Sequence, residues 1–470
     1  MSNFEITSTN YNKDNCKIGF VHLGFGAFHR AHQAVYIDDY MDKTRDLSWG
    51  IAAVNLRKED SDKFNLMALH DNGYLLKTTT PKGIKSFRMV RSHMSFSDWA
   101  KTPSKAENLL GKSSVKAISI TVTESGYYLN SDWSLDVKNS IIQKEISGLE
   151  KLSIYAYLCS GLKYRMEKIN EPVTVICCDN IRSNGDILKK NFYKYLELKK
   201  ENILIDWLSK KASFPNSMID RITPRSTKKL HKEVLKISNH YAKYAINSES
   251  FIQWVLEKKF ASSMPALNKV DVELVDNVNP YEEAKIRILN GGHTALCYLG
   301  ALSGYKTFDE IMTDQKLRSH FYNFETENVL PAIRIDLPFD KYKYRDLIAE
   351  RFSNKAIEDD LSRICMDGWS KFPIFIRPTI EGCLDQNISP KWCYESIASW
   401  YIYARRFFEG KMQIKYIEPY WDQLEPLLKR GQEITFSRLK KLWGNLPDKF
   451  NEFSPNIQDA ILRADKKWPS

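Results

Sequence analysis

The first half of the chain alternates short apolar runs with amphipathic stretches. Four runs rich in apolar and β-branched residues predict strands: KIGFVHL (17–23), WGIAAVNL (49–56), VKAISITVT (115–123) and PVTVICCDN (172–180). The first run leads into GFGAFHRAHQAVYIDDYM, whose periodicity predicts a helix. Because strands that alternate with helices favour a parallel sheet covered by helices, we expect an α/β domain over residues 1–278.

The pattern changes after about residue 280, where strand signals nearly vanish. Helical periodicity runs through YEEAKIRILNGGHTALCYLGALSG, YRDLIAERFSN, IEDDLSRICMDGWSKF and CYESIASWYIYARRFFEGK. These segments predict a second, mainly α-helical domain over residues 279–470, with the boundary inside DVELVDNVNP (271–280). A chain of 470 residues is too long for one ordinary core, which also favours two domains.

Composition and charge exclude several classes of function. The formal net charge is +11 and comes from scattered lysines, which indicates a solvated basic surface with a mild attraction for anionic cofactors or substrates. No dense Lys/Arg block with interleaved aromatic residues occurs, so we expect no nucleic-acid partner. The N-terminal MSNFEITSTNYNKDN lacks the apolar stretch of a signal peptide, and no apolar run approaches the roughly 18 residues of a membrane span. We therefore expect no membrane partner.

The cysteine pattern bears on the redox state of the compartment and on whether the chain holds a structural metal. The eight cysteines form neither a CxxC motif nor a Cys/His spacing typical of a metal site. This pattern indicates buried, reduced thiols in a cytoplasmic protein. We accordingly expect no structural zinc and assign no residue to a metal.

A glycine pair follows the first predicted strand and suggests a cofactor turn. Gly24 and Gly26 fit a strand-to-helix turn at which backbone amides meet a pyrophosphate. The usual third glycine is absent, since His29 occupies its place, and a plain tight turn is the alternative interpretation. The position after the first strand favours a Rossmann-like, dinucleotide-binding domain. The candidate cofactor contacts here are Gly24, Gly26, Phe28, His29 and Arg30.

Charged residues after the second predicted strand bear on which dinucleotide binds. In NLRKED, Glu59 and Asp60 suit a free ribose 2′-hydroxyl, whereas Arg57 and Lys58 suit a 2′-phosphate. The sequence leaves NAD against NADP open, and a solvated charge run explains any one of these residues equally well. We take Glu59 as the candidate contact and NAD as the expected cofactor.

The segment KIRILNGGH (285–293) carries an unusual mixture of residues. On a helical wheel, at about 100° per residue, Lys285, Asn290 and His293 lie among the apolar Ile286 and Leu289. The polar residues therefore do not form a separate solvent-facing side of the helix. Buried polar groups need partners and a buried ammonium is costly, so this arrangement calls for a function. The alternatives are a lysine that reaches the surface, an asparagine at a helix break and a core histidine.

Seven motifs give a specific resemblance. VHLGFGAFHRAHQAVY, TVTESGYY, CDNIRSNG, MIDRITP, FIQWVLE, KIRILNGGH and RFSN…DGWSKFP occur in the order found in the long-chain mannitol dehydrogenase family. That family includes mannitol 2-dehydrogenases, arabinitol dehydrogenases and fructuronate (mannonate) oxidoreductases. The motifs extend from about residue 17 to residue 380. The resemblance implies a zinc-independent oxidoreductase that acts on CH–OH groups with NAD or NADP.

The resemblance also implies roles for individual residues. Lys285 corresponds to the general base that takes the hydroxyl proton, which near neutral pH requires burial to lower its pKa. Asn290 and Asn180 resemble the two amides that hold the developing alkoxide, as in an oxyanion hole. His293 resembles the residue that orients the substrate oxygen, and Glu124 is expected near the nicotinamide end of the sheet.

Four further residues match polar positions of the family. Asp220, Arg363 and Lys371 align with residues that line the polyol pocket, although each alone is more often a surface or salt-bridge residue. Glu282, one helical turn before Lys285, resembles a carboxylate linked to proton exit, or is a plain ion-pair partner.

The substrate class stays partly open at this stage. We expect a reaction of the mannitol/fructose type, with the mannonate/fructuronate pair as the alternative, because a substrate carboxylate would need a cationic partner such as Arg363 or Lys371. Two other classes compete. A metal-dependent sugar-acid lyase or isomerase needs a carboxylate/His cluster that the sequence does not display. A catalytically inactive nucleotide-binding regulator would not need Lys285, Asn290 and His293. We expect a monomer or weak oligomer.

Overall fold

The computed structural model describes residues 5–69, 73–130, 132–238 and 244–468. The chain divides into two compact units. The first unit comprises Met1–Thr80 and Ile84–Asn279, and the second comprises Pro81–Gly83 and Pro280–Ser470. Within the described ranges no helix is both long enough and apolar enough to cross a membrane.

The strands all belong to the first unit. They are β1 (Ile6–Ser8), β2 (Ile18–Leu23), β3 (Gly50–Asn55), β4 (Tyr74–Thr79), β5 (Lys85–Val90), β6 (His93–Asp98), β7 (Ala117–Ile120), β8 (Val173–Cys177), β9 (Ala212–Ser213), β10 (Ser217–Asp220), β11 (Ile246–Glu249), β12 (Gln253–Glu257) and β13 (Glu273–Val275).

Helices of the first unit connect these strands. They are α1 (Ala27–Ala31), α2 (Gln33–Thr44), α3 (Ser61–Ala68), α4 (Pro103–Glu107), α5 (Ser140–Ile146), α6 (Ile154–Lys168), α7 (Asn184–Leu198), α8 (Asn202–Lys211) and α9 (Lys228–Leu235). Short 3₁₀ turns lie at Lys13–Asn15, Leu47–Trp49, Lys58–Asp60, Asn108–Gly111, Glu124–Tyr127 and Leu267–Val270.

The central sheet of the first unit has six parallel strands in the order β6-β3-β2-β7-β8-β9. Its four inner strands are the four that the apolar runs predicted. Strands of a parallel sheet are covered on both faces and therefore read as continuous apolar runs. Strand β2 shows this directly, because Val21 and Leu23 pack into one apolar cluster and Phe20 into the other.

Two smaller sheets complete the first unit. One has the order β1-β5-β4-β11, in which β4 and β5 form an antiparallel hairpin and β1 and β11 add in parallel at its edges. The other has the order β10-β12-β13. Its first two strands coincide with the MIDRITP and FIQWVLE motifs.

The second unit is helical, as its periodicity predicted. Its helices are α10 (Asn279–Ala284), α11 (Gly291–Leu302), α12 (Phe308–Thr313), α13 (Gln315–Asn323), α14 (Leu330–Ala332), α15 (Lys341–Phe352), α16 (Leu361–Ile364), α17 (Gly368–Lys371), α18 (Arg377–Leu384), α19 (Lys391–Phe408), α20 (Trp421–Leu424), α21 (Glu433–Ser437), α22 (Lys440–Trp443), α23 (Leu446–Lys449) and α24 (Phe453–Lys467), with a 3₁₀ turn at Glu425–Leu428.

Three π-helical turns interrupt these helices at Lys285–Asn290, Phe324–Val329 and Phe372–Ile376. The first of them packs against both of the others. Helix α19 lies between α11 and α24 in the single apolar core of this unit. Because π turns are rare and often occur at functional sites, their presence in and around the KIRILN segment favours a functional role for it.

Candidate active site

The carboxyl ends of the central strands bring several predicted residues to one edge of the first unit. Gly24 follows β2, Glu59 follows β3, Glu124 follows β7 and Asn180 follows β8. Since all these strands are parallel, the four residues share the edge at which open α/β sheets bind their ligands.

The two glycines of the turn have different structural roles. Gly24 has φ +94°, and a Cβ at this position would lie 2.0 Å from the Thr121 carbonyl oxygen. Its amide donates to the Val54 carbonyl at 3.0 Å, so the ends of three strands meet at a point where only glycine fits. A Cβ on Gly26, in contrast, would meet no atom within 4 Å. The backbone at Gly26 therefore faces open space that a pyrophosphate could occupy.

His29 is an interior residue. Its side chain is fully buried in α1, with Nε2 at 2.9 Å from Nε2 of His93 and the ring stacked on His22 at 3.3 Å. Burial holds the pKa of His29 well below its ordinary value, so the imidazole is neutral. The structure thus gives this side chain a packing role in the interior and not a position at the open backbone of Gly26.

Arg30 and Phe28 support the same turn. The Arg30 guanidinium is 5% exposed and donates to the carbonyls of Tyr244 at 3.0 Å and Gly26 at 3.3 Å. The ring of Phe28 stacks on His32 with centroids 5.0 Å apart. These contacts hold the backbone that follows the glycine pair. Arg30 is therefore a buried residue that stabilises the turn through hydrogen bonds to backbone carbonyls.

Glu59 lies in the exposed 3₁₀ turn after β3. Its side chain is 69% exposed, and its carboxylate lies 3.7 Å from Nε of Arg57. Arg57 also contacts Asp60 at 2.5 Å. Of the two cations here, Arg57 and Lys58, the arginine is therefore already drawn to two carboxylates.

Glu124 and Asn180 lie on neighbouring strand ends and are both exposed. The buried carboxylate of Asp179 connects the two segments, because it accepts from the backbone amides of Val122 and Thr123, each at 2.9 Å. Sequence analysis missed Asp179, although a carboxylate at the end of an apolar strand in CDN was a usable signal. Asp220 is buried at the end of β10, in another sheet of the same unit.

In the second unit, Lys285 and Asn290 begin and end the first π-helical turn. The Lys285 side chain is 8% exposed, so the lysine is not a surface residue that merely reaches solvent. In a π turn the backbone hydrogen bond joins residues five apart, so Lys285 and Asn290 lie closer to one face than an ordinary helix allows. Glu282, on α10 just ahead of the turn, is 5% exposed.

Arg287 anchors this turn and was not predicted. Its Nε donates to Oγ1 of Thr379 at 2.9 Å, and its Nη1 contacts the Glu283 carboxylate at 2.8 Å. Only 3% of the residue is exposed. The buried arginine therefore ties the turn that carries Lys285 to helix α18.

His293 lies in the first turn of α11 against aromatic rings. It stacks on Phe352 with centroids 4.1 Å apart and meets Phe308 edge to face at 4.6 Å. Burial, followed by the charges of Arg363 and Lys371, holds the pKa of His293 well below its ordinary value. The structure thus brings the predicted residues His293, Arg363 and Lys371 together. The imidazole of His293 is neutral, so one ring nitrogen can donate a hydrogen bond and the other can accept one.

Three cations act on His293, and the protein partners of two of them, Arg363 and Lys371, are as follows. Arg363 pairs with the Asp359 carboxylate through Nε at 3.0 Å and Nη2 at 2.5 and 2.6 Å. Nζ of Lys371 donates to the Ile364 carbonyl at 2.6 Å, and burial lowers the pKa of this lysine. Each of these two side chains therefore already has a protein acceptor, while the Arg363 side chain stays 47% exposed.

Among the described ranges, no group of three or more His, Cys, Asp or Glu side chains could hold a metal ion. All eight cysteines are free thiols, and seven of them are buried.

Comparison with known proteins identifies the family. The family model for the mannitol dehydrogenase Rossmann domain matches residues 18–269, and that for the mannitol dehydrogenase C-terminal domain matches residues 277–460. D-arabinitol 4-dehydrogenase of Klebsiella pneumoniae is 33% identical over 438 residues, covering 92% of this chain and 95% of that protein. Mannitol 2-dehydrogenase of Phaeosphaeria nodorum is 31% identical and covers 97% of this chain and 81% of that protein.

Solved structures agree with these relatives. Mannitol 2-dehydrogenase of Pseudomonas fluorescens, in a ternary complex with NAD and D-mannitol, superposes with a TM-score of 0.88 at 29% identity, covering 98% of this chain and 95% of that one. A D-sorbitol dehydrogenase in substrate-free form gives 0.87, also at 29% identity, over 99% and 96% of the two chains. The predicted fold class and the family resemblance are confirmed. With both of its domains matched, the chain belongs to the mannitol dehydrogenase family of oxidoreductases that act on CH–OH groups.

Proposed function

We propose that this enzyme is an NAD-dependent polyol dehydrogenase that interconverts a secondary alcohol of a neutral sugar alcohol and the corresponding ketose. The observation that carries the proposal is the buried Lys285 on a π-helical turn that ends at Asn290 and continues to His293. Support comes from relatives that are arabinitol and mannitol dehydrogenases and from the solved neighbour that binds NAD and D-mannitol.

The first unit fits the cofactor. The open backbone at Gly26 suits the pyrophosphate, and the exposed Glu59 suits the ribose 2′-hydroxyl. Arg57 is drawn to Glu59 and Asp60, which disfavours a 2′-phosphate and hence NADP. When bound, NAD supplies the hydride acceptor for alcohol oxidation.

The chain's own residues handle the proton and the oxygen. Lys285 takes the hydroxyl proton, and its side chain is buried on the same π-helical turn as Asn290. Asn290 donates an N–H bond to the oxygen as negative charge develops on it, and Asn180 is the candidate amide of the first unit. The neutral His293 orients the same oxygen, and Asp220 is a further candidate for binding a substrate hydroxyl.

The paired cations favour a neutral substrate. A sugar acid such as mannonate would need a free cation, but Arg363 is committed to Asp359 and Lys371 to a backbone carbonyl. The fructuronate alternative is therefore not favoured. We further infer that the enzyme acts in the cytoplasm, where its eight free thiols stay reduced, as a monomer or weak oligomer.

The test is a substrate panel on purified enzyme treated with EDTA. We expect oxidation of D-mannitol, D-arabinitol or D-sorbitol with NAD, and at least tenfold lower kcat/KM with NADP. A relative from Gluconobacter oxydans, 34% identical, is a polyol:NADP oxidoreductase, so both cofactors belong in the panel. Activity lost on chelation and restored by zinc, or a preference for mannonate above about 100-fold, roughly 2.7 kcal/mol of transition-state discrimination, would overturn the proposal.

A further inference from the structure

The loop after β7 adopts a strained conformation at the candidate cofactor edge. Thr123 has φ 67° and ψ 161°, a region that is costly for any residue other than glycine. Such a conformation persists only where surrounding contacts determine it. The next residue is Glu124, which begins the Glu124–Tyr127 turn, so whatever holds Thr123 also sets the direction of Glu124.

Those contacts come from one buried carboxylate on the neighbouring strand end. Asp179 is 5% exposed and accepts from the Thr123 amide through Oδ1 and from the Val122 amide through Oδ2, each at 2.9 Å. Oδ2 also accepts from the Tyr127 hydroxyl at 2.6 Å. The Asp179 carboxylate therefore holds segment 122–127 at both ends, and we call these three hydrogen bonds the clamp.

We propose that Asp179 is a positioning residue that fixes Glu124 and Asn180, on adjacent strand ends, in the geometry needed for hydride transfer. Asn180 follows Asp179 directly, so the clamp ties the loop to the segment that presents this amide. The inference rests on the proposed dehydrogenase function. Asp179 acts through its neighbours and does not itself need to touch substrate or cofactor.

The clamp requires an ionised carboxylate. Three donors converge on Asp179, and a proton on either oxygen would compete with one of them. Burial raises the pKa of Asp179 to about 6. The loop is thus held above that pH and is released as pH falls through it.

Other titratable groups that face Asp179 behave differently. Tyr127 and the thiols of Cys177 and Cys178 have pKa values raised by burial, so they stay neutral across pH 5–8. Glu124 is the remaining acidic neighbour. A Glu124→Gln variant separates its contribution from that of Asp179.

The experiment measures kcat for ketose reduction by NADH between pH 5 and 8. In this direction Lys285 gives up a proton, so acid favours its active form and cannot cause a fall at low pH. We expect wild-type kcat to fall as pH drops through about 6, and Glu124→Gln to retain that fall. Asp179→Asn should lower kcat about 10–100-fold and lose the fall, because an amide NH₂ must face one of the backbone amides.

Controls separate positioning from general damage. Asp206→Asn makes the same chemical change at an exposed residue paired with Lys210 and should leave kcat unchanged. Tyr127→Phe keeps both amide bonds to Asp179 and should retain the low-pH fall. NADH affinity, measured by fluorescence titration, should change less than threefold in Asp179→Asn.

A flat wild-type profile, or Asp179→Asn with wild-type kcat and an unchanged low-pH fall, would overturn the inference while leaving the dehydrogenase function in place. If Asp179→Asn does not fold, the wild-type, Glu124→Gln and Tyr127→Phe profiles decide. A wild-type enzyme that neither oxidises polyols nor reduces ketoses would refute the proposed function first, and this inference with it.

Discussion

Replacing Gly24 or Gly26 by alanine should have different effects: the first change should lower stability, and the second should weaken cofactor binding. For Gly24→Ala, a left-handed φ costs an L-residue about 1–2 kcal/mol. The new Cβ would also lie 2.0 Å from the Thr121 carbonyl oxygen, and overpacking of this kind adds roughly 1–3 kcal/mol. We expect Gly24→Ala to lose about 2–5 kcal/mol of unfolding free energy, a large part of a typical total of about 5–15 kcal/mol.

For Gly26→Ala the structure predicts almost no loss of stability. Gly26 has φ −76°, which alanine adopts freely, and a Cβ there meets no atom within 4 Å. Its stability should stay within about 0.5 kcal/mol of wild type, as for other surface changes. The added methyl would instead occupy the space that we assign to the pyrophosphate, so NADH binding should weaken about tenfold or more, roughly 1.4 kcal/mol.

Urea unfolding followed by tryptophan fluorescence gives the stability of both variants, and NADH fluorescence titration gives their affinity. The two changes have the same chemistry, so each serves as the control for the other. A Gly26→Ala enzyme with wild-type NADH affinity would show that the cofactor does not approach this backbone. A Gly24→Ala enzyme as stable as wild type would refute the packing argument at the strand ends.

Three further predictions concern the base, the substrate and pH. Lys285→Ala should lower polyol oxidation by about 10²–10⁴-fold in steady-state kinetics with NADH affinity retained, and a variant that keeps most of its turnover would make the lysine structural. Asp359→Asn removes the partner of Arg363 and should raise kcat/KM for mannonate relative to mannitol by about tenfold, whereas an unmoved ratio would show that the ion pair does not exclude sugar acids. Burial lowers the pKa values of three clustered histidines, His22, His29 and His93, and that of His22 falls to about 3. A histidine in the unfolded chain has a pKa of about 6.5. The unfolded state therefore binds more protons below that pH, and stability should fall by up to about 1.4 kcal/mol per pH unit for each histidine on acidification. Urea midpoints at pH 7 and pH 5 test this, and we expect His93→Phe to flatten the difference, while equal slopes in variant and wild type would contradict the assignment.

The sequence predicted those parts of the fold whose local pattern matches their environment. The inner strands of the central sheet are buried on both faces, so they appear as apolar runs. Strand β6 was missed because HMSFSD is largely polar and lies at the sheet edge. The two edge strands of the β1-β5-β4-β11 sheet, β1 and β11, were missed because they pair in parallel with segments far away in the chain, and no local pattern reports such pairing.

The candidate site shows the same division. Strand-end residues such as Glu124 and Asn180 could be expected at one edge, because parallel strands share a direction. The interior position of His29 could not be anticipated, since a glycine motif read as a string does not reveal which side chains turn inward. The pairing of Arg363 with Asp359, in contrast, has the i, i+4 spacing that a helical pattern makes visible in the sequence, and it was not used as a signal. The roles of the individual site residues remain predictions.

The π-helical turn at Lys285–Asn290 has a consequence for how this active helix could change over evolutionary time. A π turn holds one residue more than the α-helical turn that would otherwise fill the same span, so it can be regarded as a tolerated insertion. Deleting one residue between Lys285 and Asn290 would restore an ordinary helix and improve its backbone bonding. Lys285 and Asn290 would then be four residues apart in an α-helix, about 40° from each other, so both would stay on one face. The extra residue can thus be lost or gained without separating the lysine from the amide, and related enzymes are free to differ by one residue within this turn.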